Sequence, residues 1–239
     1  MNELHLFAGA GGGILGGILL GHTCVCACEI EHYRRRVLLQ RQRDGILPKF
    51  PIWDDIRTFD GKPWRGKVDV VCAGIPCQRV SSAGQANGAA PGFIDRDYYK
   101  HFRRVVGEVG AALVFVENVP MLTSRGFGTV LGDLSSMGYD GRWCVLGACD
   151  TGYCHRRRRI WALFADPVRH QWGHESYCWK IRRMGWGIKP VERDKDWQRA
   201  LSAFRGMDDG MAYCVDRTDA IRNGQVPAVV KLAWETLTQ

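Results

Sequence analysis

The sequence lacks any apolar run approaching the roughly 18 residues a membrane-spanning helix needs, so no helical span is expected. No basic-then-apolar leader precedes the first strand-like segment, and export is therefore not expected either. Internal repeats, low-complexity stretches and C-x-x-C pairs are also missing. Acid is in short supply: 25 Asp and Glu face 33 Lys and Arg, a net charge of +8 and a pI near 9.1. Arg greatly outnumbers Lys, which suits a partner presenting phosphates, since a guanidinium grips them bidentately. A merely basic surface would show the same balance.

What is present is a chain of 239 residues with ten cysteines. This length buries one substantial α/β core, with room for a second lobe of under about 80 residues. In a reducing compartment the cysteines are not expected to form disulfides. Cys24, Cys26 and Cys28 alternate, which on a regular strand puts all three on one face as small buried hydrophobes. Cys149, Cys154 and His155 look more ligand-like, but their spacing matches no closed zinc site and the Arg run that follows repels a cation. No metal is expected.

Along the chain, Leu4 to Phe7 reads as a strand, Ala8 to Gly13 as a glycine-rich turn and Ile14 to Leu20 as a helix. Cys24 to Cys28 is a second strand closing on Glu29, and His32 to Gln42 a basic amphipathic helix. Val68 to Ala73 and Ala112 to Val116 are continuous apolar runs, as in strands covered on both faces of a parallel sheet. Arg159 to Phe164 is a further strand. Strands alternating with helices predict a doubly wound, Rossmann-like α/β fold with right-handed crossovers.

From Asp166 to about Arg205 periodicity fades, and Arg169, His170, Trp172, Lys180, Arg182, Arg183 and Trp186 interleave cations with aromatics. Such a surface suits phosphates and bases. Ala220 to Leu237, led by Gly224 and Pro227, reads as an apolar helix rejoining the first domain. The organisation expected is a catalytic domain over 1–165, a small recognition segment over 166–205 and a return over 206–239.

Several features carry chemistry. The turn Phe7-Ala8-Gly9-Ala10-Gly11-Gly12 lets backbone approach a ligand and aims helix N–H groups at it. Glu29 ends the next strand, where a carboxylate accepts ribose hydroxyls, and Asp55 in Asp54-Asp55-Ile56 follows a third possible strand, where it meets an adenine amino group. Taken alone, the turn and two acids fit NAD, FAD or S-adenosylmethionine equally. Gly74-Ile75-Pro76-Cys77-Gln78 follows a buried strand and sets Cys77 at the carboxyl edge of the sheet as a candidate nucleophile. Val116-Glu117-Asn118-Val119-Pro120 brings a carboxyl to the same edge, and His155 to Arg159 brings cations.

These motifs together resemble the DNA cytosine-C5 methyltransferases, especially short forms from bacteriophages and prophages. Phe7 to Gly12 resembles the family's cofactor loop, Pro76-Cys77-Gln78 its nucleophile motif and Glu117-Asn118-Val119 its base-holding motif. His155 to Arg159 resembles Gln-x-Arg-x-Arg, with Arg157 and Arg159 on its arginines, and Asn223 to Pro227 resembles the closing Gly-Asn-x-Val-Pro. The resemblance covers residues 4–164 and 205–239. It implies S-adenosylmethionine as cofactor, held by Phe7, Ala8, Gly9, Gly11, Gly12, Glu29, Asp55, Ile56, Pro76, Asn223 and Val226. It implies catalysis by Cys77, Gln78, Glu117, Arg157 and Arg159. It further implies double-stranded DNA as partner, in the cytoplasm of a bacterial or phage-infected cell; Arg79 and Ser81 after the nucleophile motif, and Arg182 and Arg183 in the basic, aromatic segment, are the residues expected to meet it.

The chain departs from the family pattern at several points. His5 stands where the family has Asp, Cys154 where it has Pro, His155 where it has Gln and Arg222 where it has Gly. Arg79 and Val80 follow the nucleophile motif in place of a small residue and Phe, and Asp95 to Tyr99 lacks the usual Arg-Ser-Gly-Leu-type stretch. Two alternatives therefore stand beside the active enzyme: a methyltransferase fold that grips DNA without turnover, and a related transferase using a modified cofactor or an RNA substrate.

Overall fold

The computed structural model describes residues 1–76, 96–153, 157–170 and 224–239. Seven strands form one sheet: β1 (Asn2–Leu6), β2 (Thr23–Cys28), β3 (Ile52–Trp53), β4 (Val70–Gly74), β5 (Leu113–Asn118), β6 (Asp140–Leu146) and β7 (Arg159–Ala165). Their order is β3-β2-β1-β4-β5-β7-β6. The helices are α1 (Gly12–Leu19), α2 (His32–Arg43), α3 (Arg96–Val109), α4 (Phe127–Ser136) and α5 (Pro227–Thr238).

The five strands β1 to β5 pair in parallel. One strand departs from the parallel array: β7 runs antiparallel to both β5 and β6, so β6 points the same way as β1 to β5. The sheet is thus a doubly wound α/β sheet with one antiparallel strand, β7, set between β5 and the edge strand β6. Chain order reverses between β1 and β4, so the crevice at their carboxyl ends is the topological switch point where such sheets receive ligands.

Strand alternation distributes the side chains into layers. Val71 and Ala73 of β4, Val114 and Val116 of β5, and Ile160, Ala162 and Phe164 of β7 face the cluster built by Phe102, Val105 and Val106 of α3 with Val130 and Leu134 of α4. Their neighbours Val70, Cys72, Leu113, Phe115, Trp161 and Leu163 face Val229, Val230, Ala233, Trp234 and Leu237 of α5. Each large side chain so buried contributes about 1.5 to 3 kcal/mol, which is why continuous apolar runs mark these strands. The described residues 224–226 are not helical and α5 starts at Pro227, inside the helix expected to run to Leu237, because proline favours the first helical position, where no intrahelical N–H bond is due.

The cysteine strand also differs from expectation. Glu3 pairs with Cys24 while Leu4 pairs with Cys26, an irregularity that skips Val25. One extra residue reverses the facing of everything before it. Cys24 therefore packs with Ile14, Ala27 and Leu38, whereas Cys26 and Cys28 join the opposite layer with Leu4 and Leu6. All three are buried, as small hydrophobes.

Candidate functional site

Two groups of residues meet at the switch point. On the cofactor side, β1 ends at Leu6 and Phe7 turns into the left-handed region with φ of 57°. A non-glycine residue there costs on the order of 1 kcal/mol or more. The Phe7 ring stands edge-on to Tyr98 with centroids 6.0 Å apart. Glu29, at the end of β2, is 3% exposed and ties the loop down: the Gly9 amide donates to its Oε2 at 2.7 Å and the Glu31 amide to its Oε1 at 2.9 Å. Each oxygen keeps a further lone pair for a hydroxyl donor. Arg34 lies 3.7 Å from Oε1.

Asp55 follows β3 as expected, but it has a partner that sequence reading did not foresee. The Arg57 guanidinium sits 2.7 Å from Asp55 Oδ2, and the Arg57 amide donates to Oδ1 at 2.9 Å. The Arg57 side chain, with that amide, holds the Asp55 carboxyl below its usual range. Ile56 beside it is buried in the main core, and Val226, at the start of α5, packs against the layer beneath α5.

On the other side, the register Gly74 to Glu117 across β4 and β5 brings Glu117 next to the turn Ile75-Pro76. The Asn118 carboxamide donates to the Ile75 carbonyl at 3.1 Å, and the Val119 amide donates back to Asn118 Oδ1 at 2.7 Å. The Asn118 side chain thereby fixes the turn that leads to Cys77. Glu117 is 8% exposed and meets Arg159 Nε at 2.9 Å through Oε1 and Gln225 Nε2 at 3.4 Å through Oε2. Burial raises its carboxyl above the ordinary value, and Arg159, Gln225 and Arg157 only partly offset this. Arg157, with φ of 22°, donates to the Gly224 carbonyl, so it anchors the chain entering α5. Burial lowers its own pKa.

The described residues thus bring Phe7, Ala8, Gly9, Gly11, Gly12, Glu29, Asp55, Pro76, Glu117, Arg157 and Arg159 to one edge of the sheet. Cys77, Gln78, Arg79, Ser81, Arg182, Arg183 and Asn223 lie outside the described residues, as do Cys154, His155 and Arg222. Gln225 and Asn118 were not singled out from sequence. Asn118 sits beside Glu117 in its motif, whereas Gln225 stands at the variable position of the closing motif, which by itself calls for no particular side chain.

A second buried polar cluster lies under α1. Glu3 accepts from His5 Nε2 at 2.7 Å and from His22 Nδ1 at 2.8 Å. Glu3, His5 and Cys72 bring three potential ligand atoms within 4.8 Å of one another. Both carboxylate oxygens already face imidazoles, and burial pushes the Cys72 thiol well above its ordinary pKa. This network satisfies the buried His5 ring through the Glu3 carboxylate.

The C-5 cytosine-specific DNA methylase family model matches residues 1–168. Type II methyltransferase M.NgoMIV of Neisseria gonorrhoeae is 30% identical over 162 residues, covering 66% of this chain and 49% of that protein. Type II methyltransferase M.HhaI of Haemophilus parahaemolyticus is 30% identical over 166 residues, covering 67% and 47% respectively. The chain therefore spans about half the length of the relatives it matches. Among solved structures, a DNA modification methyltransferase encoded within an Escherichia coli prophage superposes with a TM-score of 0.55 at 23% identity, over 71% of this chain and 47% of that one. A mutant DNMT2 of Spodoptera frugiperda superposes at 0.57 with 16% identity, over 73% and 52%. These two likenesses show the fold, and the family model shows the kinship: the chain belongs to the C-5 cytosine-specific DNA methylases.

Proposed function

We propose that the chain transfers a methyl group from S-adenosylmethionine to C5 of a cytosine in double-stranded DNA, with Cys77 as nucleophile. The observation that carries this reading is the buried Glu117, paired with Arg159 at 2.9 Å and set beside the Ile75-Pro76 turn that runs directly into Cys77. The donor set around the loop fits the nucleoside of the cofactor: Glu29 keeps lone pairs for two ribose hydroxyls, with the Phe7 ring near. When bound, S-adenosylmethionine supplies an electrophilic methyl group on a sulfonium.

Cytosine C5 is a poor nucleophile until the ring is activated. The Cys77 thiolate adds to C6, forming a C–S bond and pushing electron density toward N3 and O2. Glu117, kept protonated more readily by burial, gives its proton to N3, and Arg159 steadies the O2 edge. The enamine C5 then takes the methyl group, and the bonding electrons of the sulfonium stay on sulfur as a thioether. Loss of the C5 proton to a base, departure of Cys77 as thiolate and return of the N3 proton to Glu117 restore the neutral aromatic ring. The base is reached only after flipping out of the duplex, at a cost of a few kcal/mol. The segment 166–205, with Arg182 and Arg183, supplies phosphate contacts in this reading, while 1–165 and 206–239 form the catalytic domain.

A second reading is favoured by one observation. The Asp55–Arg57 ion pair occupies the position assigned to an adenine amino contact, as expected of a chain that grips DNA without turnover or takes an altered cofactor. Mass spectrometry of nucleosides from DNA incubated with the protein and S-adenosylmethionine separates the readings. New 5-methylcytosine that disappears in Cys77→Ser supports the first; unchanged DNA favours the second.

A further inference from the structure

Gln225 belongs to none of the residues assigned a role above, yet three parts of the site meet on it. A Cβ on Gly12 would overlap the Gln225 carbonyl oxygen, and a Cβ on Gly13 would overlap its Oε1. Its Nε2 donates to Glu117 Oε2 at 3.4 Å and lies 3.4 Å from where a Cβ on Gly74 would stand. The residue is held there from below. α5 begins two residues later, and Val230 of α5 fills the space over Gly16 of α1. From above, Arg157 grips the carbonyl of Gly224.

We propose that Gln225 is a positioning residue that couples the cofactor loop to Glu117, its two oxygens resting on Gly12 and Gly13 while its amide nitrogen holds one carboxylate oxygen. This rests on reading the glycine-rich turn as the cofactor loop and Glu117 as the proton donor. A carboxamide donates only through nitrogen and accepts only through oxygen, so it cannot turn over without presenting oxygen to a carboxylate. A ligand that moves the first turn of α1 moves Gln225 with it, and the donor contact to Glu117 changes length. Donors to the ionised form favour it, so a change in that contact changes how readily Glu117 takes up a proton. The other charged groups facing Glu117 among the described residues are Arg159 and Arg157. Arg157, bonded to the Gly224 carbonyl, shares any movement of the segment that carries Gln225, whereas Arg159 stands at the start of β7 and holds the other carboxylate oxygen.

The test follows the Glu117 carboxyl stretch by difference infrared spectroscopy in ¹³C-glutamate-labelled protein, with Glu117→Gln assigning the band. Titrations are run with and without S-adenosylhomocysteine, whose binding is followed separately by calorimetry. In the unaltered chain the midpoint should differ between the two states by at least about 0.3 pH unit. In Gln225→Leu the midpoint should rise in the ligand-free state, because a donor to the anion is lost, and the ligand-dependent difference should vanish. Should leucine disturb α5, Gln225→Glu keeps the length of the side chain and places a second acid there. It should raise the midpoint further and reverse the sign of the ligand-dependent difference, because the group that moves is now an anion in place of a donor. Normal ligand binding with the same ligand-dependent difference in either variant as in the unaltered chain, or with none in the unaltered chain, overturns the coupling alone. Absence of any heat of binding in the unaltered chain overturns the cofactor reading, and the coupling with it.

Discussion

Arg159 Nε lies 2.9 Å from Glu117 Oε1, across the antiparallel pairing of β7 with β5. The pair joins a carboxyl that burial pushes toward protonation to a guanidinium that pulls it back. Glu117→Gln should lower methyl transfer by about 10² to 10⁴-fold, the usual worth of a positioned general acid. Because the folded pKa is raised, ionisation of Glu117 costs stability. That stability is fully present below the unfolded value near 4.5 and is lost as pH rises through the folded value. Calorimetric melting between pH 4 and 8 should show this pH-dependent loss in the unaltered protein and a flatter profile in Glu117→Gln. An identical profile in both would show that Glu117 does not titrate in this range.

On the cofactor side, Glu29 and Asp55 should differ in their response. Glu29 holds the loop through the Gly9 amide and offers its remaining lone pairs to the ribose, so Glu29→Ala should weaken S-adenosylhomocysteine binding by about tenfold or more. Arg57→Ala releases the Asp55 carboxylate and should tighten binding by a few fold. Isothermal titration of the two variants checks both signs. A weakened Arg57→Ala variant would show that Arg57 itself contacts the ligand.

Glu3 carries a prediction for acid stability. Burial raises its pKa, but hydrogen bonds from His22 and His5 and their charges outweigh this and hold it at about 2. A depressed carboxyl stabilises the fold above its unfolded value near 4.5 and loses that stabilisation as pH falls toward about 2. Glu3→Gln should destabilise the protein by on the order of 3 kcal/mol at pH 7 and flatten the acid limb of denaturation. Urea melts at pH 3, 5 and 7 measure this; equal loss at all three pH values would point to packing instead.

The segment 166–205 is tested through salt. If Arg182 and Arg183 meet phosphates, replacing both with Ala should lower the log–log salt slope of duplex binding by roughly 1 to 2 and weaken all sequences alike. Filter binding between 50 and 200 mM salt reads it. An unaltered slope would place the phosphate contacts elsewhere.

Much of the site was legible because its residues sit at strand ends. The runs Val68 to Ala73 and Ala112 to Val116 became β4 and β5, and the residues after them, Pro76 and Glu117, fell together at the switch point. Edge features were less legible. β6 is a partly exposed strand carrying Arg142 and Trp143, without the continuous apolar run that marks a covered one. The cysteine strand alternates perfectly in sequence, yet its irregularity at Val25 turns Cys24 to the opposite layer, because pairing with β1 sets the facing.

By itself the sequence determined β1, β2, β4, β5 and β7, the helices α1 and α2, the glycine-rich turn and the family motifs, since these depend on local periodicity and residue type. The tertiary structure decided what those groups face. Asp55 is tied to Arg57, Glu3 is shared between His5 and His22, and Gln225, 108 residues from Glu117, reaches its carboxyl only because α5 packs on α1. Contacts of that separation follow from how layers stack, and no local pattern in the chain encodes them.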